Sequence, residues 1–408
     1  MDKISSCRVC GKKTLVPFFD LGKQPLANYL LKSPKQEEKS YPLSLSFCRN
    51  CSLVQLNHTI NPHELFSQYV WVTGTSKTAN DFAKTFYEEL VKRAGKNKNQ
   101  FVLELASNDG TFLVPFIKNS FKVLGVDPAE NIADMASKNG IPTECVFFGT
   151  KTGKQLTKKY GLANIICARN VLPHVANTRD FVKGISLSLA DNGIVAIEVH
   201  YAKIILEELQ YDSIYHEHLC YFTIKTLEKL LNDFGLYIFD IAKSPISGGS
   251  IIAYAKKNKE KPSKILQEYK LREEKEKIND FKKWNEFAKK SLEHKKLLTL
   301  IIKKSAKNKT IVGYGSSARS STLLNFCEID NKIISAIADQ NSLKQGLYTN
   351  GTHIIIESPE RVFSRKPSSV ILLAWNFRDE ILNLLKNKYN YKGEVIIPFP
   401  NKPLVINI

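Results

Sequence analysis

The sequence predicts a mixed α/β protein: a small cysteine-held module, a doubly wound central domain, and a second Rossmann-like unit at the C-terminus. Three observations carry that prediction. Two C-x2-C pairs stand within the first 51 residues. From about residue 79 to 255, strand-like and helix-like stretches alternate, the pattern of a parallel sheet covered on both faces. After a lysine-rich helical stretch, strand, glycine turn and helix recur at "KTIVGYGSSARSSTLLNF". A chain of 408 residues is long for one domain, and the shifts in pattern divide it at 1–72, 73–255, 256–309 and 310–408.

In the first segment, "CRVC" and "CRNC" place Cys7, Cys10, Cys48 and Cys51 as two knuckles separated by 37 residues. Each knuckle presents two sulfurs to one ion, and together they complete the all-cysteine tetrahedron of a structural zinc site, with no open position for chemistry. Cys145, Cys167, Cys220 and Cys327 show no such pairing and read as buried thiols. No stretch is apolar enough to span a membrane, and "MDKISSCRVC" lacks the apolar core of a secretory signal. The expected setting is the cytosol, where cysteines serve metal binding or burial rather than a disulfide framework.

The central segment opens with a helical "TANDFAKTFYEELVKRAG" and the strand "FVLELAS". That strand carries Glu104 and runs into the turn Ala106, Ser107, Asn108, Asp109, Gly110, which lets backbone approach a ligand at the carboxyl edge of the sheet. It is neither G-x-G-x-x-G nor a P-loop, which disfavours dinucleotides and triphosphates. The next strand, "VLGVDP", ends with Asp127, suited to accept both ribose hydroxyls of an adenosine. The pair resembles the adenosylmethionine site of class I methyltransferases, whose ligand has no phosphate to cradle. Asn170, opening "NVLPHVAN" after a third strand, joins this cofactor-binding set.

His174 follows a buried strand in that same motif. An isolated histidine is usually structural, but this one stands where doubly wound sheets bind ligands. "GIVAIEVHY" ends at the same edge, and "YHEHLCYFT" follows, so Tyr215, Glu217 and His218 are expected to converge on His174. His216 and His218 stand two apart, a spacing that would serve a metal on one strand face. The linker "FSQYVWVTGTS" reads either as an aromatic connection or as a strap that lends Tyr69 to the crevice.

The net charge of +19 raises the question of nucleic acid. Residues 256–309 hold 19 Lys and Arg against 8 Asp and Glu, more than half of that excess. Ile278, Phe281, Trp284, Ala288 and Leu292 fit one helix face there, so the segment reads as a solvated helical connector. In the last segment, the turn at 313–319 offers backbone N–H groups and Arg319 to a phosphate. Asp339 is its first acidic partner, so a vestigial dinucleotide fold is an equal reading.

Taken together, "CRVCG", "LGKQPLANYL", "SNDGTFL", "NVLPHVAN", "YHEHLCYF", "YGSSARSSTLLNF", "KQGLYTNGTHI", "LLAWNF" and "IIPFPN" resemble the three-domain sugar C-methyltransferase family along the whole chain. The resemblance implies methylation at C3 or C5, with C3 favoured, of a nucleotide-linked 4-keto sugar of the dTDP or GDP type. The cofactor would be S-adenosylmethionine, and the sugar would lie between domains of a cytoplasmic monomer making deoxysugars for surface polysaccharide or other glycoconjugates. Two departures stand out: "SSARSS" replaces the family's "AKGN", and "GGSIIAY" lacks an arginine common after "GGS".

The chemistry needs a base for the proton beside the ketone and a donor for the enolate oxygen. By resemblance and position His218 is the leading base, Glu217 its orienting partner, Tyr215 and His174 the enolate donors or proton relay, and Tyr69 a residue closing over the sugar. An O- or N-methyltransferase of the same architecture is the competing enzyme. A zinc-bearing RNA-binding protein is the competing non-enzyme, disfavoured because the charge sits on one connector.

Overall fold

Burial of alternating apolar side chains builds the N-terminal sheet first. A computed structural model describes residues 1–408 except 70, 96–99, 247 and 308. Its N-terminal strands are β1 (Asp2–Lys3), β2 (Leu15–Pro25), β3 (Ser40–Cys48), β4 (Val54–Leu56) and β5 (His58–Thr59). β2, β3 and β4 form an antiparallel meander whose one face buries Phe19, Leu21, Leu43, Leu45 and Phe47. The connection from β2 to β3 leaves the module: Leu31 and Tyr348 exchange both backbone hydrogen bonds at 2.8 Å, tying it to the C-terminal domain.

The central strands are β6 (Phe101–Leu105), β7 (Lys122–Val126), β8 (Thr143–Glu144), β9 (Ala163–Arg169), β10 (Leu189–His200), β11 (Cys220–Tyr221), β12 (Tyr237–Ser244) and β13 (Ser250–Lys256). Seven of them form one sheet in the order β12-β13-β10-β9-β6-β7-β8, parallel except for β13, which runs antiparallel to both neighbours. β6 is buried at every residue, as a strand covered on both faces must be. The carboxyl ends of β6, β7, β9 and β10 open on one edge, where the chain order reverses across β6 and β9.

β11 does not join this sheet. It pairs with β4, Cys220 opposite Gln55 and Tyr221 opposite Val54, and becomes the fourth strand of the N-terminal sheet. "YHEHLCYF" is therefore held by the cysteine module at one end.

The C-terminal strands β14 (Ile311–Tyr314), β15 (Ile334–Ala338), β16 (Ile356–Glu357), β17 (Ser369–Leu372), β18 (Glu394–Ile397) and β19 (Leu404–Asn407) order as β16-β15-β14-β17-β18-β19. Only β19 is antiparallel. The helix Ala318–Cys327 follows β14, capped by Ser317, whose hydroxyl accepts from Ser320 N.

The lysine-rich segment is two helices, Lys264–Lys275 and Phe281–Ala306, broken where Lys277 adopts φ 55°. Its lysine face is solvated, but the opposite face is a spine between modules rather than a plain connector. Trp284 meets Phe18 edge-on at 6.3 Å, and Phe287 meets Phe19 at 5.8 Å. His294 bonds Tyr211 through Nδ1 and the Pro398 carbonyl through Nε2, both at 2.8 Å. The buried stripe passes through Trp284, Phe287, Ser291, His294, Leu298 and Ile302. Leu292, expected on that face, is 46% exposed, because the stripe follows the three-module contact and turns away from it.

Trp284→Ala should therefore lower unfolding free energy by about 3–5 kcal/mol, the cost of emptying a large aromatic site, with loss of the 3.0 Å bond from Nε1 to the Ile278 carbonyl. Leu292→Ser should change it by less than about 0.5 kcal/mol. Urea unfolding of both variants checks the pair of values.

Candidate active site and zinc centre

The two cysteine knuckles are built alike. The residue after the second cysteine of each, Gly11 or Ser52, takes a left-handed φ of 72° or 68°. Its N–H then returns to the carbonyl of Cys7 or Cys48, at 2.8 Å in both cases. That turn aims both sulfurs of a pair inward. Cys7 Sγ lies 3.5 Å from Cys51 Sγ and Cys10 Sγ 3.6 Å from Cys48 Sγ, and all four sulfurs lie within 4.8 Å of one another. The hydrogen bond between Cys7 and Cys51 pulls the Cys7 thiol down and pushes that of Cys51 up. Four sulfurs converging on one point fit a tetrahedral zinc. Among the described residues no other group of His, Cys, Asp or Glu converges in this way. His216 and His218 diverge: His216 Nε2 turns to the Tyr41 carbonyl at 3.3 Å.

The crevice at the sheet edge is formed by strained backbone. Ala106, Asn108 and Asn170 are non-glycine residues at φ 54°, 52° and 50°, a conformation that costs free energy and clusters at ligand sites. Asp127 accepts the Asn108 N–H on Oδ2 and the Ala129 N–H on Oδ1, each at 2.9 Å. Each carboxylate oxygen retains a lone pair for a ligand hydroxyl. Burial pushes the Asp127 carboxyl up, against those two bonds. Glu104 lies at the floor, its Oε2 without a partner, pushed up to about 8 by burial. Glu104, Ala106, Ser107, Asn108, Asp127 and Asn170 all line the cavity.

Asp109 and Gly110 stand apart from it. Asp109 accepts from Gly74 N at 2.8 Å and from the Thr111 hydroxyl at 2.7 Å, fastening the linker. A Cβ on Gly110 would lie 2.4 Å from Ile141, so this glycine answers to packing. The linker runs over the crevice: Asn131 bonds both the N–H and the carbonyl of Tyr69, and Asn108 bonds Thr73 N and the Trp71 carbonyl. Tyr69 and Trp71 line the cavity.

At the far wall, His218 Nδ1 meets the Ser213 carbonyl at 2.8 Å and Nε2 meets the Tyr215 hydroxyl at 2.6 Å. A carbonyl only accepts, so Nδ1 carries the proton, and the neutral ring accepts from the phenol at Nε2. His174 packs edge-on against His218 at 4.9 Å.

The expectation that Glu217 orients His218 is corrected. Glu217 Oε1 accepts from Asn28 Nδ2 of the N-terminal module at 2.6 Å, and Tyr69 lies beside it. Successive residues of this turn point apart, so Ser213 performs the orienting and Glu217 reaches the N-terminal module. Burial pushes Glu217 up to about 7.

Sequence reasoning missed Asn28, His200 and Ser213. His200, at the end of β10, lies 6.5 Å from His218, and its Nε2 has no partner. Its signal was present, a histidine closing a buried strand at the ligand edge. A carbonyl such as that of Ser213 has no signal in sequence.

One cavity of about 820 Å³ joins these parts, within the size range of ligand sites. It runs from Asn108 and Asp127, past His174, His200 and His218, to Arg319, Lys344 and Phe377 of the C-terminal domain.

A methyltransferase fold with a cysteine module in front and a second Rossmann-like unit behind is the class these features define, and comparison with known proteins agrees. Three family models match in succession: a zinc binding domain at residues 7–66, a methyltransferase domain at 79–240, and the C-methyltransferase C-terminal domain at 245–400. The C-methyltransferase NovU of Streptomyces niveus is 31% identical over 99% of this chain and 97% of its own length. The chain belongs to the three-domain C-methyltransferase family and is an adenosylmethionine-dependent methyltransferase. Solved structures matched over part of the chain include the magnesium protoporphyrin IX methyltransferase of Synechocystis PCC 6803, at 13% identity over 43% of this chain and 78% of that one, TM-score 0.33. A methyltransferase from Clostridium acetobutylicum matches at 13% over 45% and 93%, TM-score 0.34. Among the described residues, no helix is long and apolar enough to cross a membrane.

Two outcomes follow from this geometry. Metal analysis should find one zinc per chain, and Cys48→Ser should abolish it. Because β3 and β4 carry β11, hydrogen exchange at Cys220 and Tyr221 should accelerate in that variant.

Stability should also depend on pH. Burial pushes His174 and His216 down to about 4, His200 to about 3, and His218 well below the ordinary range. Such a histidine gains a proton on unfolding below about pH 6.5, so acidification favours the unfolded chain by about 1.4 kcal/mol per pH unit for each. Glu217 and Glu104, pushed up to about 7 and about 8, instead hold protons that unfolding releases, so stability falls as pH rises toward 8. Thermal midpoints of the ligand-free protein should peak near pH 6.5, and rising stability toward pH 5 would contradict the burial of these rings.

Proposed function

We propose that the enzyme methylates the carbon beside the ketone of a nucleotide-linked 4-keto sugar, C3 by preference, through an enolate. The observation that carries this reading is the Tyr215–His218 pair, a neutral imidazole with a fixed tautomer in the same cavity as Asp127 and Asn108. A methyl donor needs no base of this kind when the acceptor is already a nucleophile, whereas a carbon acid does.

Bound adenosylmethionine supplies an electrophilic methyl group. Asp127 would hold its ribose hydroxyls, with Asn108, Asn170 and Glu104 around it. His218 takes the proton from the carbon at Nε2, directly or by way of the Tyr215 oxygen as the phenol passes its own proton to the ring. Burial raises the phenol well above its usual range, so Tyr215 remains a phenol and the proton comes to rest on His218. His174, held neutral by burial, would donate to the enolate oxygen, and Tyr69 would close over the sugar from the linker. The nucleotide extends toward Lys344 and Phe377 of the C-terminal domain. Phe66 and Trp71 line the same cavity.

His218→Ala should lower turnover by about 10²–10⁴ while adenosylmethionine and nucleotide-sugar affinities stay nearly unchanged. Exchange of the sugar's proton into deuterated water should slow in parallel, since that step precedes methyl transfer. Normal turnover in this variant on a substrate that gains one methyl group would remove His218 from the mechanism. A product methylated at oxygen or nitrogen, without exchange, would replace the carbon reading.

A further inference from the structure

The turn Tyr211–Ser213 carries the carbonyl that fixes His218, and the C-terminal half of the chain grips it on both sides. Before that carbonyl, the Tyr211 hydroxyl bonds His294 Nδ1 at 2.8 Å and Cys327 Sγ at 3.6 Å. Asp212, buried to 1% exposure, accepts a two-pronged bond from Arg319, Nε at 3.0 Å and Nη2 at 2.9 Å, and a third from Trp375 Nε1 at 2.7 Å. After it, the Ile214 carbonyl accepts from Thr322 Oγ1 at 3.0 Å. Arg319 stacks on the Trp375 ring at 4.6 Å, bonds Gln210 Oε1 at 3.1 Å, and lines the cavity with Tyr215 and His218.

We propose that Arg319 is a positioning residue for the Tyr215–His218 pair: clamped to Asp212, it locks the turn that orients the imidazole and places a fixed positive charge beside it. The inference rests on reading that pair as the proton-abstracting group.

Two physical effects follow from one side chain. A planar guanidinium bound two-pronged to a buried carboxylate holds a narrow geometry, and Ser213, the next residue, inherits that geometry at its carbonyl. The same cation opposes protonation of a neighbouring imidazole and favours negative charge on a neighbouring phenol. The titratable groups facing His218 are His174 from the turn after β9, His200 from the end of β10, Tyr215 from its own turn, and Arg319 from the C-terminal domain. Of these His174, His200 and Arg319 add to burial in keeping the ring neutral. Tyr215 faces Glu217 and Asp212, which oppose ionisation, and Arg319, which favours it. Proton abstraction in the central domain thereby depends on the C-terminal domain being docked.

Imidazole ¹⁵N NMR of the full-length protein without substrate, in wild type, R319Q, R319K and D212N, tests this. In wild type His218 should show the Nδ1–H tautomer and remain neutral from pH 5 to 8. R319Q and D212N should lose the single tautomer, and in R319Q the midpoint should move to higher pH, because a cation beside the ring has gone. R319K, which keeps the charge and loses the fork, should keep the low midpoint, and it provides a reading if R319Q does not fold. In turnover, R319Q should lower kcat at least tenfold and move the acidic limb of its pH profile upward, with KM for the sugar little changed. An unchanged tautomer and midpoint in R319Q would overturn the proposal, as would a raised KM with unchanged kcat and pH profile, which would make Arg319 a substrate anchor. A responsive His218 in a protein that shows no proton exchange would leave the positioning intact and remove only the carbon-methylation reading.

Discussion

Residues 211–222 are held at both ends and in the middle by different modules, and the site depends on that restraint. Tyr211 and Asp212 are fixed by the C-terminal half through His294, Arg319 and Trp375. Glu217 reaches the N-terminal module at Asn28. Cys220 and Tyr221 form a strand with β4, and Phe222 pairs with Tyr201 at the end of β10. A short irregular segment has little local preference of its own, so conformational entropy would scatter it without these anchors. Fixed at each point, it presents Tyr215 and His218 to the cavity and hides His216 and Glu217.

The zinc centre belongs to the same restraint rather than to the chemistry. Its four sulfurs leave no open coordination position, and none of the four cysteines lines the cavity. What the metal holds in place is strand β4, and through it the strand β11 that ends the segment carrying Tyr215 and His218. A structural ion is well suited to this task, because a module this small buries too little apolar surface to be stable alone.

Electrostatics at the site are governed by burial. His174, His200 and His218 are all driven toward the neutral ring, and the carboxyls of Glu104 and Glu217 toward the neutral acid. Arg319 faces this group from the C-terminal domain while paired with Asp212. Neutral rings held by fixed partners suit the proposed removal of a weakly acidic proton, since preorganised groups reorganise little as charge develops.

Much of this was legible in the chain itself. Paired cysteines specify their own geometry, because a C-x2-C knuckle with a left-handed residue after it can turn only one way. Alternating apolar strands and helices fix a parallel sheet, and a parallel sheet fixes which edge binds ligands, so Glu104, Asn108, Asp127, Asn170 and His174 were readable as neighbours. The orientation of residues beyond the strands was not. "YHEH" announces its composition, but which of its side chains enters the cavity depends on partners more than 100 residues away on either side: Asn28 and β4 before it, Arg319 and Trp375 after it. Leu292 left its expected face for the same reason, since helix amphipathicity reports a period, while the direction of the buried stripe is set by what packs against it. Local sequence decided the elements and the metal ligands. Tertiary packing decided the hydrogen-bond partner of His218, because a backbone carbonyl has no identity in sequence and acquires a role only when the fold brings an imidazole to it.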